Sequence, residues 1–472
     1  MPDLRPARGP APTGVLRWAP VGLLGLMLLA LTRTAGSGIA DPDTLWHVLA
    51  GDHLRATGQF AGPDPLSPFT TEPWVLTQWL PELGLSIAHD WGGLAAVTFL
   101  ADLGRVAVCL AVYVGCRRQA GPLAAALVTA VTVLGSSASL SPRPQLVGFA
   151  LLAVTTSAWL STTRDLRVRW WLVPLTWAWA SSHGTWVVGV MLGVAVVAGL
   201  AADRRVDLRL GTRLLAVPLL SGLAALLTPL GPRVLETFGT VRAVSPYIQE
   251  WRRPGLTEPA TLALLALALA VLATWVVRRD LVTWARAAVL LVGLGWGLST
   301  ARGVALGAII VAPLAAEAVD RLLGRARPER GREPAVVAAL VAVAVAVGAV
   351  LAWTGPREPV GVPTALTPAL RALPAGAVVY DDDLLGGWLL WSFPELQPTA
   401  DTRAELYGPE AARAYLRALR AEEGWQASVE QHRPAAALIG SDTPLAQALV
   451  RDARWTVVGR DRGYLLLQPP PG

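Results

Sequence analysis

Between residues 16 and 353 the chain is written as a succession of about eleven apolar stretches, and that pattern fixes its class before any single residue is read. They fall near residues 16–35, 92–115, 120–138, 145–161, 169–182, 184–201, 212–228, 260–277, 282–299, 302–323 and 335–353. Crossing the hydrocarbon of a bilayer takes about 20 mostly apolar residues in a helix, and the fifth stretch is shorter than that. Backbone in lipid must satisfy its own hydrogen bonds, which makes these runs helices. Composition agrees, with 53% hydrophobic residues and only 16% charged ones, where soluble domains carry roughly a quarter.

Arginine sets the expected orientation. All forty basic residues are Arg. With the N-terminus cytoplasmic, the inner connections hold Arg117 and Arg118, then Arg164, Arg167 and Arg169, then Arg204, Arg205, Arg209 and Arg213. Arg278, Arg279 and Arg286 follow, and the last connection runs through Arg321, Arg325, Arg327, Arg330 and Arg332. The intervening loops are far poorer in Arg, the pattern that positive charge imposes on cytoplasmic loops. The net charge of +6 is therefore better explained by short cytoplasmic loops than by nucleic acid, and no nucleic-acid partner is expected. Residues 21–31 also fit a signal-peptide core with Ala35–Ala40 as a cleavage zone. A long polytopic chain rarely needs one, and either reading places Asp41 outside. The expectation is a multi-pass plasma-membrane protein. Cys109 and Cys116 form no disulfide framework or metal cluster.

Two outer loops are long, 36–91 and 229–259, and the first is polar and rich in proline. After Trp353 the composition changes. Residues 355–472 read as a soluble extracytoplasmic α/β domain behind a transmembrane domain spanning 1–354. Strands are predicted at Ala377–Tyr380, Ala435–Ile439, Trp455–Val458 and Tyr464–Leu467, and helices at Pro409–Ala421 and Pro444–Arg451. The fold class is thus mainly α, a polytopic helical bundle with a C-terminal α/β domain. Neither an internal repeat nor a glycine-rich phosphate loop is present.

Charged and polar residues in the outer loops are the candidates for chemistry. Asp41-Pro-Asp43 follows the first stretch directly. Two carboxylates spaced so can hold a divalent cation, Mg or Mn, or one can take a proton from a substrate hydroxyl. The plainer reading makes Asp43 a helix N-cap. His47 lies four residues on. Arg143, in Ser141-Pro-Arg-Pro144, suits a phosphate because its planar donor fork matches the oxygens; headgroup anchoring is the competing role. His183 lies at the outer end of the fifth stretch, Glu250 in the second long loop beside Arg252 and Arg253, and Arg302 at the outer start of the tenth stretch. Their plain roles are a hydrogen bond, an ion pair and a snorkelling anchor. What unites Asp41, Asp43, His47, Arg143, His183, Glu250 and Arg302 is one membrane face. Asp102 and Arg105, three apart inside a span, should pair or face the bundle interior.

These residues carry a resemblance. Asp41-Pro-Asp-Thr-Leu-Trp-His47, Gly58, Pro63-Asp-Pro-Leu-Ser67, Trp74, and Trp79-Leu80 resemble the first outer loop of GT-C-type membrane glycosyltransferases. The similarity continues through Pro142-Arg-Pro-Gln145, Ser182-His-Gly184, Thr228-Pro-Leu-Gly-Pro232, Glu250-Trp251 and Ala301-Arg302, and into the tail at Asp381-Asp-Asp383, Gly386-Gly-Trp388 and Asp401-Thr-Arg403. Leu45, Ser182 and Thr228 depart from the family pattern. The resemblance implies transfer of a sugar from a polyprenyl-phosphate donor to a glycan, lipid or protein acceptor on the outer face. It implies Asp41 or Asp43 as base or metal partner, Arg143, His183 and Arg302 at the donor phosphate, and Glu250 facing the acceptor. Two other readings stand beside it: an inactive relative that binds lipid-linked glycan or scaffolds envelope assembly, and a transporter. The transporter reading would call for several charges at mid-membrane and an inverted repeat.

Overall fold

The computed structural model describes residues 19–324 and 331–471. Arg325, Arg327 and Arg330 lie outside these. Every apolar stretch becomes a helix. In chain order α1 is Ala19–Thr32, α2 Pro42–Thr57, α3 Trp79–Arg117, α4 Pro122–Gly135, α5 Gln145–Asp165, α6 Leu172–Ala180 and α7 Trp186–Ala202. Then come α8 Leu208–Ala225, α9 Glu236–Val244, α10 Pro259–Val277, α11 Trp284–Gly297, α12 Gly303–Leu322 and α13 Glu333–Thr354. Among the described residues seven helices are long and apolar enough to cross a membrane, and α4, α7 and α11 are shorter apolar helices. The fifth stretch folds as α6 of 9 residues, about 14 Å long at 1.5 Å per residue and too short to cross alone. The protein is a multi-pass membrane protein.

Helix α12 is the centre of the bundle. It is buried over 94% of its apolar window and packs against α3, α4, α5, α10 and α11. Small residues allow this. A Cβ on Gly307 would strike the Gly293 carbonyl oxygen and Gly297 of α11, the close backbone approach typical of packing in lipid. Helix α13 is peripheral, buried over 17% of its window, and leans on α1 and α3. Helix α3 is broken at Gly92 and Gly93, where φ reaches +61° at Gly93, so the expected span near 92–115 starts at this break. Asp102 and Arg105 both face the interior, as expected, but the ion pair is not made. Arg105 Nε donates to the Leu140 carbonyl at 2.8 Å, and both Asp102 oxygens lack a protein hydrogen bond.

After α13 come α14 Thr367–Arg371, α15 Asp383–Ser392, α16 Ala404–Leu419, α17 Trp425–Glu430 and α18 Pro444–Arg451. They flank a five-stranded sheet. The loop between α2 and α3 holds β1 Ala61–Gly62 and β2 Trp74–Val75; the sheet itself uses β3 Val378–Asp381, β4 Gln397–Pro398, β5 Ala436–Gly440, β6 Thr456–Asp461 and β7 Tyr464–Gln468. Its order is β4-β3-β5-β7-β6, with β3 parallel to β4 and β5, and β7 antiparallel to β5 and β6. Alternation along the strands buries both faces. Val379, Leu438 and Leu466 pack toward Leu370, Trp388 and Leu389, while Tyr380, Ile439 and Leu467 pack toward Leu445 and Leu449. The expected helical bundle with a C-terminal α/β element is therefore what the chain forms.

Candidate active site

Helix α2 begins at Pro42, and the cap is Asp41, not Asp43. The Asp41 carboxylate accepts the Asp43 amide at 3.0 Å. Proline at the first helical position costs the helix nothing, since its missing N–H would be unsatisfied there, so the helix starts two residues earlier than a cap at Asp43 would allow. That places Asp43 in the first turn and His47 one turn later on the same buried face.

Arg143 binds both acids. Between Pro142 and Pro144, it directs Nε to Asp41 Oδ2 at 2.8 Å and Nη1 to Asp43 Oδ2 at 2.8 Å. Nη1 also reaches Glu250 Oε1 at 3.3 Å, and Glu250 Oε2 meets Arg302 Nη1 at 3.0 Å. Arg302 Nη2 donates to Gln145 Oε1 at 2.8 Å. Thr44 ties α2 to this turn by donating to the Pro142 carbonyl at 2.9 Å. Five of the seven residues picked out in the sequence thus form one continuous network drawn from α2, the α4–α5 turn, the loop after α9 and the start of α12.

The two imidazoles flank it. His47 Nδ1 lies 2.7 Å from Glu82 Oε1, with both side chains 2% exposed. Half-buried His183 shares a hydrogen bond with the Thr185 hydroxyl at 2.9 Å and touches none of the acids directly. Burial, with Arg143 next, pushes the His47 pKa well below its ordinary value. Burial and the Arg302 charge push His183 down to about 3. Both rings are neutral at physiological pH, so they can exchange hydrogen bonds with a ligand but bring no positive charge to a phosphate. Burial, opposed by Arg143, pushes Asp43 up to about 6. Burial disfavours the Arg143 cation too, yet Asp43 and Asp41 outweigh it and hold the guanidinium charged.

An arginine takes up the acid pair in this structure. The Arg143 guanidinium already bridges Asp41 and Asp43, and no group of three or more His, Cys, Asp or Glu able to hold a metal gathers among the described residues. A divalent cation held by Asp41 and Asp43, its shell completed by water and substrate phosphate, would have to displace Arg143 from them.

Sequence reading missed Glu82 and Gln145. Glu82 is the one acid in the apolar run after Trp79, and that isolation was the available signal. The C-terminal segment lies close to the site as well. Arg403 is buried between Asp64 at 2.8 Å and Asp401 at 2.6 Å, and Tyr407 donates to Asp401 at 2.8 Å. Trp46 donates to the Thr402 hydroxyl at 3.0 Å. A Cβ on Gly387 of α15 would strike the Pro42 carbonyl oxygen. The wall of the site beside α2 is therefore built by the C-terminal segment.

No known family model matches the sequence, and no curated protein matches it. Solved structures do. The crystal structure of ArnT from Cupriavidus metallidurans in the apo state superposes with a TM-score of 0.54 at 15% identity, over 96% of this chain and 99% of that one. The fold is that of ArnT. The crystal structure of ArnT bound to undecaprenyl phosphate gives a TM-score of 0.51 at 14% identity, over 96% of this chain and 100% of that one. ArnT is a GT-C glycosyltransferase, so the fold implied by the resemblance is the fold observed. The ArnT-like architecture spans both the helical bundle and the C-terminal sheet.

Proposed function

We propose that the protein is a membrane glycosyltransferase that moves a sugar from a polyprenyl-phosphate donor to an envelope acceptor. One observation carries this reading. On an ArnT-like fold, Asp43 shares an ion-pair network with Arg143, Glu250 and Arg302, and its Oδ1 accepts no hydrogen bond at ordinary distance. A carboxylate whose pKa is pushed to about 6 by burial, against the pull of Arg143 and the Thr402 side chain, suits proton abstraction near neutral pH. ArnT has been crystallised with undecaprenyl phosphate, which supports the donor class.

In this mechanism the acceptor hydroxyl attacks the anomeric carbon and its proton passes to the Asp43 carboxylate. The new bond from acceptor oxygen to carbon forms as the bond from carbon to phosphate oxygen breaks. The leaving polyprenyl phosphate takes the electron pair, and Arg302 and Arg143 receive the developing charge. Asp41 caps α2 and holds Arg143, a positioning role. Neutral His47 and His183 exchange hydrogen bonds along the wall. The same reading places the network and residues 355–472 outside the plasma membrane and the N-terminus in the cytoplasm, supported by the arginine pattern of the connections.

The test is incubation of the purified protein with polyprenyl-phosphate sugars, scored for sugar transfer or release. Wild-type protein should release the polyprenyl phosphate, and Asp43→Asn should not. Unchanged turnover in Asp41→Asn, Asp43→Asn and the double variant would remove these acids from the mechanism.

A further inference from the structure

The Glu250 carboxylate spans the two guanidiniums, reaching Arg143 Nη1 at 3.3 Å and Arg302 Nη1 at 3.0 Å. Its side chain is 46% exposed, whereas those of Asp41 and Asp43 are 8% and 12% exposed. The acids of α2 are built in; Glu250 reaches in from a loop. Its backbone is anchored separately, because the Arg302 amide donates to the Glu250 carbonyl at 3.0 Å and the Ala301 amide to the Arg252 carbonyl at 2.8 Å. The carboxylate can therefore rotate away while the loop stays in place.

Charge bookkeeping makes that rotation matter. Three carboxylates, Asp41, Asp43 and Glu250, face two guanidiniums, Arg143 and Arg302, so the ionised cluster already carries an excess of one negative charge. A donor phosphodiester adds another. Placing it beside all three acids sets like charges within a few ångströms, where repulsion is large. Exchanging it for Glu250 leaves the balance unchanged, one anion for one anion.

We propose that Glu250 is an internal stand-in for the donor phosphate: it occupies the anion position between Arg143 and Arg302 and is displaced when the phosphate of a lipid-linked donor binds. This rests on the transferase reading above and specifies how its donor site is gated. Released from the arginines, Glu250 turns toward the exposed side of the site, where the acceptor arrives. Half-exposed ion pairs are weak, so the exchange needs only a modest advantage from the phosphate.

The experiment titrates the full chain in detergent with undecaprenyl phosphate, read by tryptophan fluorescence, alongside turnover with a polyprenyl-phosphate sugar. Removing the competing anion should tighten binding, so Glu250→Gln is expected to lower Kd about three- to tenfold. Glu250→Ala should do the same, since the backbone anchor is untouched. Arg302→Ala should weaken binding, and Glu250→Gln should gain nothing in that background. Equal or weaker binding by both Glu250 variants, with the wild type binding and turning over, would overturn the stand-in and leave the transferase reading in place. A wild type that neither binds the lipid nor releases sugar would overturn the transferase reading, and the stand-in with it.

Discussion

Asp43 gives one carboxylate oxygen to Arg143 at 2.8 Å and leaves the other without a hydrogen-bond partner, while Asp41, two residues earlier, spends its oxygens on the helix cap and the same arginine. The two acids are therefore unequal. Asp43→Asn should reduce turnover at least about a hundredfold, the usual contribution of a positioned base. Asparagine caps helices as well as aspartate, so Asp41→Asn keeps the start of α2 and should lose on the order of tenfold, one charged hydrogen bond to Arg143. Single-turnover kinetics on both variants, with unfolding temperatures unchanged, would check the ranking. Equal losses would reject it.

The pH dependence follows from the same carboxyl. Burial pushes Asp43 up to about 6, and Arg143 pulls against that. A base must be deprotonated, so turnover should fall with unit slope as pH drops through about 6. Replacing Arg143 with Gln removes the pull, and the limb should move to higher pH. Stability runs the other way. The folded state holds this proton more tightly than the unfolded chain, so the contribution from Asp43 is present below its unfolded value and is lost as pH rises from about 4 to about 6. A pH–rate profile and unfolding measured across the same range should therefore slope in opposite directions.

Metal removal should do nothing. Arg143 already bridges the acid pair, so turnover in EDTA is expected to stay within about twofold of that with Mg or Mn. A strict cation requirement would mean that Arg143 leaves the acids during the reaction, contrary to its role here.

The spans were legible because apolar runs and arginine-rich connections are local signals, and each run became a helix. The start of α2 was misjudged by two residues because Pro42 can open a helix, which moves the cap from Asp43 to Asp41. The five-residue network was foreshadowed by a shared face, not by spacing, since Arg143 lies 102 residues from Asp41. No local pattern pairs such residues; only the crossing helices do. Glu82 and Arg403 were harder still. Glu82 matters through His47, 35 residues away, and Arg403 through Asp64, 339 residues away, so the first role exists only once α3 has packed on α2 and the second only once the C-terminal segment has docked.

That docking yields the last expectation. Arg403 is 2% exposed and pairs with Asp64 and Asp401, themselves 0% and 1% exposed. Burial disfavours the charged form of each, and the mutual attraction outweighs it, raising the Arg403 pKa and lowering that of Asp401. Removing one member strands the others. Arg403→Ala leaves two buried carboxylates facing each other and should cost about 3–5 kcal/mol, the range for breaking a buried ion pair. Arg403→Lys keeps the charge but cannot serve both acids with one planar fork, so it should fall between Ala and the wild type. Because Thr402, beside Arg403, accepts from Trp46 of α2, turnover should fall in the same order. Unfolding temperature and turnover that stay at wild-type values in Arg403→Ala would mean that the C-terminal segment does not hold the catalytic helix.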